Sequence, residues 1–189
     1  MGDQHEAINP GLGMRVCLAG IRKRFSTAPQ MSTEEFYSMW IKANNRDTLE
    51  AENVLLLDVR KREEYEVSKI SGAVWINAGC SLEENMTVVN DLIKQNSNTT
   101  GAENLIVVAY CSLGYRSSQL IGQLEVKKMQ MLGPNFETVK FHNLEGSIFK
   151  WANENKPLVL PDNTTSTSFV HPFNSLWGKL LREGIHKRS

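Results

Sequence analysis

Two short apolar runs stand out in the hydrophobic pattern of the chain, "VLLLDV" at 54–59, which is apolar up to Asp58, and "LIVVAY" at 105–110. Apolar runs of this length, with no polar face, predict strands that are buried on both sides of a sheet. "AVWI" at 73–76 and the alternating "TVKFHNL" at 138–144 predict two further strands.

Helical periodicity fills the intervals around these strands. Ser32 and Glu35 have the spacing of a capping box, which predicts a helix that begins there and carries Phe36, Tyr37 and Trp40 on one side. Further helices are predicted at 61–67, at 82–95, from an N-cap at Ser117 onward, and at 147–155.

Strands that alternate with helices predict an α/β fold, with a mostly parallel central sheet and helices on both faces, in a single domain. The domain is assigned to residues 32–160, between an N-terminal arm at 1–31, expected to be disordered, and a linker with a C-terminal helix at 161–189. Apolar residues at helical spacing in this tail, from Phe173 to Leu181, predict a helix that folds back onto its own domain or, alternatively, binds a partner.

Composition restricts the possible partners. Lysines and arginines equal aspartates and glutamates, 21 each, so charge gives no argument for binding nucleic acid or an anionic membrane. Three cysteines do not form a disulfide framework, which favours a reducing compartment and a cytoplasmic location. The basic, acid-free segment at 7–33 keeps a mitochondrial location open as the alternative.

The stretch "YCSLGYRSS" carries the candidate chemistry, because it begins with the last residue of the predicted strand at 105–110. Ligands of parallel sheets bind at the carboxyl ends of the strands, where Cys111 lies. A loop that turns back on itself directs amides inward, and the helix N-terminus and Arg116 add positive charge. These neighbours lower a cysteine pKa, so Cys111 is predicted to be a reactive thiolate, with Gly114 permitting the turn.

This chain resembles the rhodanese homology domain, the fold of the sulfurtransferases, over about residues 32 to 160. The active loop of that family runs C-x-x-G-x-R, which is matched here by Cys111-Ser112-Leu113-Gly114-Tyr115-Arg116. The flanking motifs of the family are matched by Asp58-Val59-Arg60, by Glu64-Tyr65, by the stretch 68–73, and by Leu144-Glu145-Gly146-Ser147 with Trp151. A single-domain member with a C-terminal extension is implied.

Three positions depart from the family pattern: Lys69 replaces a histidine, Ser71 a proline and Ser147 the second glycine of L-x-G-G. None lies in the loop from Cys111 to Arg116, so these departures are not expected to touch the nucleophile.

The resemblance implies sulfur transfer. Cys111 would take a sulfane sulfur from a small donor such as thiosulfate, become a persulfide, and pass the sulfur to a thiol, to cyanide or to a protein acceptor. Arg116 would hold the thiolate and orient the donor, with no metal or organic cofactor. The family implies that the substrate-binding loop is Ser112, Leu113, Gly114, Tyr115 and Ser117, with Asp58, Arg60 and Glu64 around it and Arg60 paired to Glu64.

Two other functions are compatible with the sequence. A rhodanese module can serve protein binding or regulation without catalysis, although such modules typically lack the cysteine. Related cysteine-dependent phosphatases and arsenate reductases have one more residue between cysteine and arginine than the four found here. Cys80 is interpreted as a packed loop thiol and Cys17 as incidental.

Overall fold

The computed structural model describes residues 11–44, 53–77, 79–100, 105–132 and 138–187. Its helices are α1 (Leu12–Arg24), α2 (Thr33–Asn44), α3 (Arg62–Val67), α4 (Leu82–Thr100), α5 (Tyr115–Leu132) and α6 (Ser147–Asn153), followed by a 3₁₀-helix at Trp177–Leu180. Its strands are β1 (Gln30–Met31), β2 (Asn53–Asp58), β3 (Val74–Trp75), β4 (Leu105–Tyr110), β5 (Lys140–Leu144), β6 (Leu158–Val159) and β7 (Ser166–Thr167).

A five-stranded sheet of order β1-β5-β4-β2-β3 forms the centre of the molecule, and all of its strand pairs are parallel. Strands β2 and β4 pair along their whole length, so Asp58 lies beside Tyr110 at the carboxyl edge. Strands β6 and β7 form a separate antiparallel pair. The predicted α/β fold with a mostly parallel sheet is confirmed.

Alternate residues of the strands pack into two hydrophobic cores, one on each face of the sheet. Leu56 and Val108 face a core that is covered by α1, α2, α6 and the C-terminal tail. Their neighbours Leu55, Leu57 and Val107 face a second core that is covered by α4 and α5. Since both faces are covered, β4 and residues 54–57 of β2 are apolar without interruption, which is the pattern that predicted these strands.

The helix boundaries follow local chemistry. The capping box that opens α2 is present, because the Ser32 hydroxyl accepts the Glu35 amide at 3.1 Å and the Glu35 carboxylate accepts the Ser32 amide at 2.8 Å. Helix α4 continues to Thr100, beyond its predicted end at 95. Helix α5 begins at Tyr115, so the prediction that Ser117 is its N-cap is wrong, and Ser117 lies in the first turn.

The N-terminal arm is ordered where the structure describes it, contrary to the expectation of disorder for 1–31. Residues Leu12–Arg24 form α1, and Met14, Leu18 and Ile21 are buried in the core shared with α2 and α6. Their spacing of four and three residues places them on one helical face. Residues 1–10 lie outside the described part of the chain.

The tail folds back onto its own domain, but it does not form the predicted α-helix. Its ordered helical part is the 3₁₀ turn Trp177–Leu180. Within the tail, the Val170 amide donates to the Ile185 carbonyl at 2.7 Å. The tail is attached to the domain by Asn153 of α6, whose side-chain amide donates to the Leu180 carbonyl at 2.7 Å. Side-chain burial therefore comes from an irregular chain path and not from one helical stripe.

No helix within the described ranges is both long enough and apolar enough to span a bilayer.

Candidate active site

The loop after β4 places Cys111 at the carboxyl edge of the sheet, directly before α5. Gly114 has a φ of 116°, a conformation that side chains disfavour, and a Cβ there would lie 3.4 Å from Asn143 Nδ2. The glycine therefore permits the sharp turn between Cys111 and the helix.

Helix α6 fixes which way the peptide groups of this loop point. The amide of Ile148 donates to the Cys111 carbonyl at 3.2 Å, and the amide of Phe149 donates to the Ser112 carbonyl at 3.1 Å. The amide of Gly114, which belongs to the following peptide unit, donates to Cys111 Sγ at 3.1 Å. The thiol thus faces backbone donors of its own loop, as an anion nest requires.

Cys111 is 2% exposed, yet its environment favours the anion. Burial raises the pKa of the thiol, but the positive charge of Arg116 and hydrogen bonds from Ser117 and Gly114 lower it more, so the pKa lies below its ordinary value. The loop therefore increases the thiolate population at a given pH.

Arg116 is held in place by Glu64, a residue of α3. Arg116 Nη1 donates to Glu64 Oε2 at 2.7 Å and Nη2 donates to Oε1 at 2.9 Å, a bidentate pair. Arg116 Nη2 also donates to the Ser112 hydroxyl at 2.8 Å, and that hydroxyl donates to Glu64. Burial raises the pKa of Glu64, but the hydrogen bonds and the charge of Arg116 keep it below its ordinary value.

Arg60 does not pair with Glu64, contrary to the expectation from sequence. Arg60 Nη2 donates to Asp58 Oδ2 at 2.6 Å and Arg60 Nε donates to Asp58 Oδ1 at 2.9 Å, and both side chains are fully buried. Tyr110, directly before Cys111, donates its hydroxyl to Asp58 Oδ2 at 2.8 Å. Asp58 and Arg60 are only two residues apart in sequence, which favours their pairing over that of Arg60 with Glu64. Because Tyr110 of β4 binds the same carboxylate, this cluster braces β2 against β4 beneath the loop.

The remaining predicted loop residues lie around the thiol. Ser112 and Leu113 are buried, and Ser117 is fully buried in the first turn of α5. Tyr115 is 44% exposed and packs edge-on against Phe25, with ring centroids 4.9 Å apart. The structure therefore brings together every residue predicted for the substrate-binding loop, whereas Asp58 and Arg60 lie in a separate buried cluster.

Comparison with known families identifies this arrangement. The family model of the Rhodanese-like domain matches residues 43–154, more than half of the chain. The chain belongs to the rhodanese-like domain family. Comparison with curated protein sequences finds no match.

Solved structures share the rhodanese-like fold at low sequence identity. A thiosulfate sulfurtransferase from Pseudomonas aeruginosa matches with 14% identity and a TM-score of 0.50, over 82% of this chain and 24% of that chain. This chain thus spans about a quarter of that relative. Two structures of Ygr203w from Saccharomyces cerevisiae match with 15% and 16% identity and TM-scores of 0.51 and 0.53, over 67% and 66% of this chain and 81% and 84% of theirs.

Those two yeast structures are described differently, one as a homolog of single-domain rhodanese and the Cdc25 phosphatase catalytic domain, the other as a protein tyrosine phosphatase of the Rhodanese family. The similarity therefore establishes the fold, and the reaction has to be argued from the residues of the site.

One departure from the rhodanese-like pattern does touch the nucleophile. Ser147 replaces the second glycine of L-x-G-G, and its φ of 50° is in the left-handed region that favours glycine. Its hydroxyl accepts the amide of Cys111 at 3.1 Å and donates to the Leu144 carbonyl at 3.1 Å. The expectation that the departures do not touch the nucleophile is thus wrong for Ser147, which binds the backbone of Cys111.

A cavity of about 410 Å³ opens over the rhodanese-like loop, and most of its walls come from outside the residues that match the family. It is lined by Cys17, Gly20, Ile21, Arg24, Cys111, Ser112, Leu113, Tyr115, Arg116, Phe173 and Trp177. Sequence reasoning missed it, since α1 was expected to be disordered and Cys17 incidental. The spacing of Met14, Leu18 and Ile21 was the signal for a packed helix. Cys80, expected to be packed, is exposed.

Proposed function

We propose that this rhodanese-like chain is a sulfurtransferase that carries sulfane sulfur as a persulfide on Cys111. The thiolate attacks the outer sulfur of a donor, the sulfur–sulfur bond of the donor breaks, and the remainder leaves with the bonding electrons. A thiophilic acceptor then removes the outer sulfur of the persulfide and regenerates the thiolate. Such a two-step reaction with a covalent intermediate follows ping-pong kinetics.

The observation that carries this proposal is the position of the thiol in its loop. Cys111 Sγ accepts the Gly114 amide at 3.1 Å, and its pKa is lowered by Arg116 and by hydrogen bonds of the loop, although burial opposes this. The terminal sulfur of a persulfide on Cys111 would lie one bond beyond Sγ, and its negative charge would still be close to the loop amides and Arg116. The loop thus supports both the nucleophile and its charged product.

Arg116 would act through its charge and not as a clamp for an oxyanion. Both of its terminal nitrogens donate to Glu64, at 2.7 and 2.9 Å, so its bidentate face is occupied. Binding of a single sulfur atom does not require two parallel hydrogen bonds from one guanidinium, whereas a tetrahedral oxyanion is bound through such a pair. This supports sulfur as the transferred group.

The acceptor that the family implies is a small thiol or cyanide, and a protein thiol is a further candidate. The three cysteines are free, which fits a reducing compartment such as the cytosol. A reducing compartment also supplies thiols as acceptors.

Intact mass spectrometry tests the proposal directly. Wild-type protein treated with excess thiosulfate or methanethiosulfonate anion should gain one sulfur atom, and cyanide should remove it with release of thiocyanate. Cys111→Ser should gain none. Cys80→Ser is the matched control, because Cys80 is exposed and does not line the cavity, and this variant should load as wild type does. Failure of thiosulfate, methanethiosulfonate and benzenethiosulfonate alike to load the wild type would refute the proposal.

A phosphatase is the second candidate, supported by the fold shared with the yeast protein described as a tyrosine phosphatase. Hydrolysis of an aryl phosphate is assisted by a carboxylic acid that can protonate the leaving group. Here Asp58 is buried with Arg60 and Tyr110, and Glu64 is paired with Arg116 at a lowered pKa. These contacts disfavour general acid catalysis by either group. Turnover of an aryl phosphate lost in Cys111→Ser would favour the phosphatase.

A non-catalytic binding module is the third candidate and is tested by the same mass measurement. Such a module has no need of a thiol with a lowered pKa, and would show no sulfur on Cys111 that cyanide can remove. The persulfide therefore separates catalysis from binding.

A further inference from the structure

The cavity over Cys111 has an apolar wall that sulfur transfer from an inorganic donor does not need. Ile21 of α1, Leu113 of the loop, and Phe173 and Trp177 of the tail contribute to this wall. Phe173 is held over Arg116, with the guanidinium carbon 5.1 Å from the ring centroid. Cavities of this size with mostly apolar walls and a few polar groups are typical of sites for organic ligands.

Charge in the cavity gives little reason to prefer a small dianion. The charge of Arg116 is offset by Glu64, which is paired with it at 2.7 and 2.9 Å. Arg24, the other cation among the lining residues, donates to the Tyr115 hydroxyl at 2.9 Å. When Glu64 is counted with the lining residues, Arg24 and Arg116 are balanced by Glu64 and the Cys111 thiolate, so the site has no net positive charge that would select a doubly charged donor.

We propose that the sulfur donor of this site is an organic sulfane-sulfur compound, with an aromatic or branched carbon group and a single negative charge. The carbon group occupies the space between α1 and the tail, against Ile21, Phe173 and Trp177, while the outer sulfur reaches Cys111. This inference rests on the proposed sulfurtransferase function and narrows its substrate.

For a thiosulfonate anion, RSO₂S⁻, the reaction is balanced in atoms and charge. The Cys111 thiolate attacks the outer sulfur and forms a new sulfur–sulfur bond. The bond between that sulfur and the sulfonyl sulfur breaks, and its electron pair leaves with the sulfinate, RSO₂⁻. Two monoanions therefore give a persulfide anion and a sulfinate, with no proton transfer and no further reactant.

Three donors separate the effect of the carbon group from the chemistry: benzenethiosulfonate, methanethiosulfonate and thiosulfate. The first two have the same charge and leaving-group type, and differ in the ring. We expect kcat/KM with cyanide as acceptor, divided by the uncatalysed rate of the same donor with cyanide, to be at least about tenfold higher for benzenethiosulfonate than for methanethiosulfonate. Thiosulfate should fall below benzenethiosulfonate.

Two substitutions in the cavity test whether its walls cause this preference. Trp177→Ala removes an aromatic wall residue. Gly20→Leu adds a side chain at the rim, where a Cβ meets nothing within 4 Å, and leucine favours the α1 helix more than glycine does. Each should lower the benzenethiosulfonate to methanethiosulfonate ratio by about tenfold. Leu176→Ala is the matched control, since Leu176 is 66% exposed, adjoins Trp177 and does not line the cavity.

The results distinguish failure of the inference from failure of the proposed function. If methanethiosulfonate and thiosulfate load Cys111 but the wild type shows no preference for the ring, the function stands and the inference is overturned. A preference that Gly20→Leu leaves unchanged also overturns it, because that variant keeps the helix intact even if Trp177→Ala does not fold. If no donor loads Cys111, both fail.

Discussion

Asp58→Asn should destabilise the protein by about 3–5 kcal/mol, because it removes the counter-charge of a buried arginine. Asp58 and Arg60 have fully buried side chains. The Asp58 carboxylate accepts hydrogen bonds from Arg60 Nε and Nη2, from the Arg60 amide at 3.0 Å and from the Tyr110 hydroxyl at 2.8 Å. Asparagine keeps the shape of the side chain but has one acceptor oxygen and no charge.

The magnitude follows from what the substitution leaves behind. Burial lowers the pKa of Arg60, but the charge of Asp58 and its hydrogen bonds raise it above its ordinary value, so the guanidinium stays charged. Its Nη1 atom is already buried without a hydrogen-bond partner. An unpaired cation in such a place costs far more than one lost hydrogen bond, which is worth about 1 kcal/mol. With domain stabilities of about 5–15 kcal/mol, the loss is a large share.

Urea unfolding followed by circular dichroism measures this loss, and thermal unfolding should show a fall in Tm of about 6–20 °C for a chain of this size. Glu66→Gln is the control, because Glu66 forms an exposed pair with Arg62 and should change stability by less than about 0.5 kcal/mol. Adding Arg60→Met to Asp58→Asn should recover part of the loss, since it removes the unpaired cation. Equal effects of Asp58→Asn and Glu66→Gln would refute the reasoning.

Three further predictions concern the loop and its supports. Arg116→Met should raise the pKa of the Cys111 thiol, because the charge of Arg116 is the largest contribution that lowers it; the pH dependence of alkylation of Cys111 measures this, and an unchanged profile would contradict this role of Arg116. Ser147→Ala should destabilise the protein by about 1 kcal/mol more than Ser147→Gly in urea unfolding, since both lose the hydroxyl but glycine alone suits a φ of 50°; the reverse order would contradict the local strain. Glu64 has a lowered pKa when folded, so its contribution to stability is present above about pH 4.3 and is lost as the pH falls through the folded value; wild type should therefore lose more stability on acidification than Glu64→Gln, and parallel curves would contradict this.

Local signals were sufficient to predict the loop and four of the five strands of the sheet; the edge strand β1, only two residues long, was missed. The runs "VLLLDV" and "LIVVAY" are strands because both of their faces are buried, and a pattern without a polar face records that directly. Cys111, Gly114 and Arg116 lie within six consecutive residues, so the loop that joins strand and helix keeps their backbones close together. These features depend on residues near one another in sequence.

The features that the sequence did not predict depend on contacts between distant segments. Helix α1 is ordered because Met14, Leu18 and Ile21 find a core that α2 and α6 provide, whereas its composition alone resembles that of an unstructured basic arm. The partner of Glu64 is Arg116, 52 positions away, and pairing by proximity in sequence assigned it to Arg60 instead. The cavity forms because α1 and the tail both pack over the loop from Cys111 to Arg116.

The lowered pKa of Cys111 is therefore a property of the fold and not of the C-x-x-G-x-R sequence. In an isolated peptide the carbonyls of Cys111 and Ser112 would be free to rotate. Here two amides of α6 donate to these carbonyls, at 3.2 and 3.1 Å, and fix their orientation. Arg116 would likewise sample many rotamers, and Glu64 restricts it through two hydrogen bonds. Because the lowered pKa needs the amides and the guanidinium at the same time, loss of either support should weaken the thiolate even when Cys111 and the loop sequence are intact. The thiolate-stabilising effect of such a loop can thus be weakened from α3 or α6, by substitutions that leave its motif unchanged.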